Sequence, residues 1–397
     1  MKTYRRDPQQ LLYSKQFVTS VFSVFIICIL CAFVVIAPAQ EFKQVHPGVE
    51  HAQVTHKIGE DPVKINLLRL DLTKVRLDVH HALDKAIGLE TTSSIAKRKG
   101  AVAAINAGFF RLDKSAWAGD ASELLVIDGR LLSDSVNQRV ALSIVNTNKR
   151  TNFDIGQLKA DVGLLNEDGL ISLNFDVNRE RKMGSFVIYT PEFGPTTLTD
   201  DKGVEVIVRT SNGTRTSSLE LIDGIGNNRI PDNGFVVSLT GKVSIEAEYL
   251  HSIFYRKQRV WFAPFFSRGT QSILPRIEDA IAGVPQLIKN GRIDITWEEE
   301  KASKAFAETR HPRTAVAKLK DGKFLMVTVD GRQPGVSVGM SLQELAEYLL
   351  SLGAMDAMNL DGGGSTTMYL DGKVVNTPSD KEGERKIGDA IVVTLRK

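Results

Sequence analysis

The stretch Asn359-Leu360-Asp361-Gly362-Gly363-Gly364-Ser365-Thr366-Thr367-Met368-Tyr369-Leu370 decides how the rest of the chain is read. The apolar approach from Ala354 to Leu360 predicts a strand that delivers Asp361 into a glycine turn, where backbone can come close to a ligand. A plain hairpin needs only Asp-Gly, as at Asp128-Gly129, Asp321-Gly322 and Asp371-Gly372. The glycine triplet exceeds that need. A nucleotide P-loop is excluded, because no Lys follows the glycines and Thr366 to Leu370 alternates like a strand instead of opening a helix.

Upstream, Lys323 to Val329 reads as a strand ending in Asp330-Gly331-Arg332, followed by a loop that holds Gly335 and Ser337. A helix then starts at Ser341 as N-cap, with Glu344 at the reciprocal capping-box position. Leu342, Leu345, Ala346, Leu349 and Leu350 form its apolar face, and Gly353 stops it. This strand, helix and strand have the length of a βαβ crossover. Parallel strands joined in this way end at one edge of a sheet, which sets Asp330 and Asp361 on a common crevice.

Two carboxylates at one sheet edge can act as general acid and base, or as acid and nucleophile, on a glycosidic bond; they can equally hold a divalent cation. Arg313, Arg332 and Arg385 offer guanidinium forks to an anion, and Ser365, Thr366 and the N–H groups of Gly362, Gly363 and Gly364 add donors. That combination points to a phosphorylated or otherwise anionic substrate. His311, placed before Pro312, reads as a loop residue.

Length and charge narrow the class. The chain has 397 residues, enough for a large buried core, and a formal net charge of +3 with its basic residues scattered. Nucleic acid is therefore not an expected partner. Lys2, Arg5, Arg6 and Lys15 precede an uncharged apolar run, Phe17 to Ala37, which reads as a signal sequence or a transmembrane anchor. Residues 1–16 are then a cytoplasmic tail, and the remainder is exported: membrane-anchored if uncleaved, secreted or periplasmic if cleaved after Ala39. Both cysteines, Cys28 and Cys31, fall within the run, so the exported part has no disulfide and no thiol nucleophile.

Residues 38–62, polar and mixed, read as a spacer before a domain at 63–397. From Val63 the pattern is β-rich, with strands at Val63 to Leu72 and Val75 to His80. His80 and His81 face opposite ways on a strand, which argues against a shared metal. A helix is expected near Ser93 to Lys99, then a buried strand, Ala101 to Ile105. The following Asn106-Ala107-Gly108-Phe109-Phe110 suits either a site wall or a core Phe pair with a capping Asn. Thr296 to Thr309 reads as a mobile charged loop. The expected fold class is α+β: a mixed, β-rich sheet core with a C-terminal βαβ crossover in a single large catalytic domain.

His311-Pro312-Arg313-Thr314-Ala315, Asp330-Gly331-Arg332-Gln333, Gly335 to Met340, Asn359 through Thr366, Asn376 through Ser379 and Glu384-Arg385 resemble the phosphodiester glycosidase family. Asn106 to Phe110, Tyr189-Thr190 with Gly194, Pro231 to Val236 and Gly283 to Gly291 agree in order, so the likeness covers about residues 100–395. It implies a hydrolase that releases a sugar, an α-linked N-acetylglucosaminyl group among the candidates, from a sugar-1-phosphodiester or phosphorylated glycan. It also implies that Asn106, Arg313, Asp330, Asp361, Ser365, Thr366, Asn376 and Arg385 line the site; on their chemistry Asp330 and Asp361 are read as the catalytic pair, either of them the acid that protonates the phosphate leaving oxygen. Ala107 departs from the family's usual glycine, as does Ala317. No cofactor and no dedicated metal ligand is expected. A metal-dependent phosphodiesterase and a non-catalytic envelope glycan-binding protein are the alternatives.

Overall fold

The computed structural model describes residues 41–166, 169–171, 175–210, 217–240, 261–268, 271–273 and 277–396. The apolar run Phe17 to Ala37 lies outside them. Among the described residues no helix is long and apolar enough to cross a membrane.

The fold is mostly β. Its largest sheet has eight strands, in the spatial order Lys43–His46, Val49–Ile58, Asp61–Leu70, Phe324–Val329, Arg313–Leu319, Ala354–Asn359, Gln286–Lys289 and Arg292–Ile293. A five-stranded sheet runs Lys373–Val374, Met368–Leu370, Ala103–Asn106, Asp389–Leu395 and Val75–His81. Side chains from both sheets share one core, among them Leu68, Met326, Val316 and Met358 from the first and Leu77, Ile105, Met368 and Ile391 from the second.

Alternation along the strands supplies a second apolar face to each sheet. On the large sheet Leu325, Val327, Ala315 and Ala317 point away from the shared core and pack with Leu345, Ala346 and Leu349 of the helix Leu342–Ser351. On the smaller one Ala104, Ala390 and Val392 pack with Ile95 and Ala96 of the helix Thr92–Arg98. Strands buried on both faces explain the apolar runs 324–327 and 390–393. Further sheets built from residues 125–282 surround a separate core that includes Leu131, Phe175, Val208 and Val237.

Several expectations hold in detail. Ser341 and Glu344 form the reciprocal capping box, and the helix expected near Ser93 to Lys99 forms at Thr92–Arg98, where Thr91 accepts from the Ser94 N–H as N-cap. Asp128-Gly129 and Asp371-Gly372 turn with both residues at positive φ, as a type I′ hairpin requires.

Three expectations are corrected. The strands Phe324–Val329 and Ala354–Asn359 are not neighbours: Arg313–Leu319 lies between them and pairs antiparallel with both. Among the described residues the one parallel strand pairing joins Phe175–Val177 to Phe186–Tyr189, so the strand pairing is essentially antiparallel and the fold mostly β, while the helix Leu342–Ser351 carries the chain past one intervening strand between two strands that run the same way. Residues 43–58, read as spacer, form two strands of the large sheet, with Val49 and Ala52 buried and the other side chains half-buried or exposed. Thr296 to Thr309 is not a bare loop; it contains the helix Lys304–Glu308 with Ser303 as N-cap, and the buried Glu300 receives the N–H groups of Val140 and Gln286.

Candidate active site

The two strands that flank Arg313–Leu319 run the same way, because each is antiparallel to it. Asp330 follows Val329 and Asp361 follows Leu360, so the two carboxylates leave one edge of the sheet. The common edge expected from the crossover is kept, with one strand inserted between the two.

Asp330 is 2% exposed. The Asn376 Nδ2 donates to its Oδ1 at 3.0 Å, and the Thr377 N–H lies 3.1 Å from both carboxylate oxygens. Burial raises its pKa, while these donors and Lys64 oppose the rise. Behind it, the Ser337 hydroxyl donates to the Asp330 carbonyl at 2.6 Å.

Asp361 is half-buried and held differently. Desolvation pushes its carboxyl up to about 6, opposed by a hydrogen bond from the Ser365 hydroxyl, by the Arg385 guanidinium and by the Gly362 N–H. Its backbone is fixed on both sides: the Asp361 N–H donates to the Ala107 carbonyl at 2.9 Å, and Asn106 Nδ2 donates to the Asp361 carbonyl at 2.6 Å.

Each member of the glycine triplet faces a different neighbour. A Cβ on Gly362 would stand 2.6 Å from the Pro312 carbonyl oxygen; on Gly363, 3.0 Å from Arg332 Nη2; on Gly364, 2.1 Å from Arg385 Nη2 and 2.2 Å from Asp380 Oδ1. Gly363 also sits at φ +60°. The triplet thus lets the turn nest against the Pro312 backbone and two guanidinium groups at once.

The flanking polar residues divide by role. Asn106 is fully buried, and its Oδ1 accepts from Thr314 Oγ1 at 2.8 Å and the Thr367 N–H at 3.1 Å. Asn376 spends both amide hydrogens, on Asp330 and on the Thr366 carbonyl at 3.0 Å, while its Oδ1 accepts from the Met368 N–H. Arg385 pairs with Asp380 at 2.7 Å and reaches Ser365 Oγ at 3.5 Å. Arg332 is exposed with its guanidinium against Gly363.

Arg313 is the exception. It is 1% exposed and donates to the carbonyls of Met340, Phe306 and Thr309 at 2.8 to 2.9 Å, with its guanidinium 4.9 Å from the Phe306 ring centre. Burial and the nearby Arg332 bring its pKa down to about 10. These bonds tie the helix Lys304–Glu308 to the sheet edge, so the structure gives Arg313 a bracing position and not that of an open anion fork.

A family model described as phosphodiester glycosidase matches residues 202–394, the span that contains both carboxylates and the glycine turn. That part of the chain is similar to the phosphodiester glycosidase family. It is similar to N-acetylglucosamine-1-phosphodiester alpha-N-acetylglucosaminidase of Bos taurus, 36% identical over 109 residues, which is 25% of this chain and 20% of the relative. The chain thus matches about a fifth of that relative's length. Two solved structures share the fold: a hypothetical protein from Synechocystis, with TM-score 0.73, 21% identity and coverage of 91% of this chain and 64% of the other, and a putative exported protein from Burkholderia pseudomallei, with TM-score 0.70, 23% identity and coverage of 84% and 74%.

The two carboxylates are linked through consecutive residues of the turn: Asp361 to Ser365, then Thr366 through its carbonyl to Asn376 and on to Asp330. The buried hydroxyls of Thr366 and Ser379 have no hydrogen-bond partner among the described residues. Among the described residues no group of His, Cys, Asp and Glu side chains is arranged to hold a metal ion. Sequence reasoning missed Thr377 and Asp380, which directly hold Asp330 and Arg385, and the buried Asp389, which receives the Gly108 N–H at 2.5 Å. Asp380 was legible as an acid five residues before an arginine. Asp389 was hidden at the head of an apolar strand.

Proposed function

We propose that the chain hydrolyses the bond between a sugar anomeric carbon and the phosphate of a phosphodiester, on an exported or envelope glycan. The observation that carries this reading is the pairing, at one sheet edge, of a carboxyl raised to about 6 beside Arg385 with a second carboxylate held by three N–H···O contacts. In the reaction the C1–O bond breaks, water supplies a hydroxyl to C1, and its proton leaves through a carboxylate. Asp361 protonates the departing phosphate oxygen, Arg385 and Arg332 balance the phosphate charge, and Asp330, oriented by Asn376 and Thr377, guides the water. Export rests on the basic start and the apolar run Phe17 to Ala37.

The test is release of free sugar from an N-acetylglucosamine-1-phosphodiester and from other sugar-1-phosphodiesters, with and without chelator. Turnover that survives chelator and is lost in both Asp330→Asn and Asp361→Asn, with the folded state intact, is the expected result. Turnover that requires an added divalent cation makes the protein a metal-dependent phosphodiesterase. Tight glycan binding unchanged in Asp361→Asn, with no turnover of any such substrate, makes it a binding protein.

A further inference from the structure

We propose that Asp389 is a positioning residue for Asp361: a buried carboxyl, uncharged in the working protein, whose proton is coupled through one peptide group to the proton on Asp361. This rests on Asp361 being the acid of the reaction proposed above.

The Ala107-Gly108 peptide is the link. Its carbonyl accepts from the Asp361 N–H at 2.9 Å, and its N–H donates to Asp389 Oδ1 at 2.5 Å. The same short segment is held from behind, since the Ala107 N–H donates to the Asp389 carbonyl at 3.1 Å. One peptide unit therefore carries hydrogen bonds from the Asp361 backbone on one side and to the Asp389 side chain on the other, an arrangement in which each bond polarises the next. Gly108 is what allows it. A Cβ there would lie 3.2 Å from both Asp389 oxygens and 2.7 Å from Ile281 Cδ1.

Asp389 is 0% exposed, and its Oδ2 has no hydrogen-bond partner among the described residues. Among the described residues no cation compensates it. Across the strand pair stands His81, whose ring nitrogens lie 3.2 Å and 3.0 Å from the Ala82 and Gly119 carbonyls and whose pKa is lowered by burial. On the helix packed against this strand Arg98 is taken by Asp84 and Glu90, and Arg385 lies with Asp380 and Ser365. Beside Ile281, Asp279 is occupied by the N–H groups of Val79 and Asp128. A buried carboxylate with one N–H and no counter-charge is costly, so the neutral acid is the stable form. Desolvation accordingly pushes Asp389 up to about 7, with the Asp361 charge adding to the rise. The two acids then titrate as a pair, each step belonging to both.

The experiment follows the aspartate carboxyl carbons by NMR across pH 4 to 9 in the full chain, in Asp389→Asn, Asp361→Asn and Gly108→Ala, beside kcat/KM over the same range. Asn retains an acceptor for the Gly108 N–H, so Asp389→Asn keeps the turn. We expect the Asp361 resonance to titrate in two steps in the wild type and in one step in Asp389→Asn. The Asp389 midpoint should fall in Asp361→Asn, and Gly108→Ala should disturb both resonances. In kcat/KM, Asp389→Asn should lose the second inflection while retaining activity within about tenfold. Asp361 titrating identically in wild type and folded Asp389→Asn, with or without a change in activity, overturns the proposal. Two-step titration in a protein that turns over no sugar phosphodiester upholds the coupling and defeats the catalytic reading instead.

Discussion

Asp330 and Asp361 end strands that run in the same direction with one strand between them, yet their surroundings differ in kind. Asp330 is gripped by a side-chain amide and a backbone N–H that favour the anion. Asp361 has its backbone fixed from both sides, while its carboxyl meets a hydroxyl, an N–H and one guanidinium within a desolvated turn. Burial raises both carboxyls, and what differs is the partner that holds each: an amide and a backbone N–H orient Asp330, while a hydroxyl and a guanidinium meet Asp361, so one sheet edge can supply two acids with separate tasks.

The largest effect expected from that contrast is in Asp361→Asn, which should lose about 10²- to 10⁴-fold in kcat/KM with the folded state intact. The pH profile gives the sign. An acid that must be protonated is active below its pKa, so the Asp361-dependent limb should fall as pH rises through about 6. Activity that instead rises through that region assigns Asp361 as base and reverses the roles. Next comes Asn376→Ala, which removes a donor from Asp330 and leaves the Met368 N–H and the Thr366 carbonyl without their partner. A stability loss of about 1–3 kcal/mol is expected from thermal or urea unfolding, together with an upward shift of the Asp330 limb of the pH profile. A folded Asn376→Ala with an unchanged profile would show that Thr377 alone holds Asp330.

Much of this edge was legible in the sequence. The strand ends before Asp330 and Asp361, the capping box at Ser341 and the surplus of glycines all follow from local chemistry that the fold respects. The intervening strand was not legible as such, because pattern shows that Arg313–Leu319 is a strand but not that it inserts between two others. The strands at Lys43–Ile58 were missed because only a minority of their side chains face the core, at the outer end of the sheet, and the rest look like linker. Arg313 misled for a related reason. A guanidinium beside a site and a guanidinium bracing it have the same spelling, and only its three carbonyl partners separate them.

The glycine turn sharpens the comparison at smaller scale. Gly362→Ala meets the Pro312 carbonyl, which belongs to the backbone and cannot swing aside, whereas Gly364→Ala meets the ends of Arg385 and Asp380, which can. Gly362→Ala should therefore cost more stability than Gly364→Ala, while Gly364→Ala should act on KM by displacing the guanidinium next to Asp361. Equal unfolding midpoints for the two variants would mean that the turn is not wedged against Pro312.

The smallest effect is expected at Arg332. Its side chain is exposed and has no carboxylate partner among the ion pairs of the described residues, so Arg332→Gln should leave unfolding nearly unchanged. Its guanidinium lies against Gly363, and its charge acts on His311 and on Arg313, lowering the pKa of both. A cation placed there without a protein anion is suited to meet one carried by substrate, and the attraction is exposed to solvent and salt. Arg332→Gln should therefore raise KM for a phosphodiester by less than about tenfold with kcat little changed, and the difference from wild type should shrink as ionic strength rises. A loss confined to kcat would place Arg332 among the groups that act in the transition state, beside Arg385, and would extend the charged surroundings of Asp361 across the glycine turn.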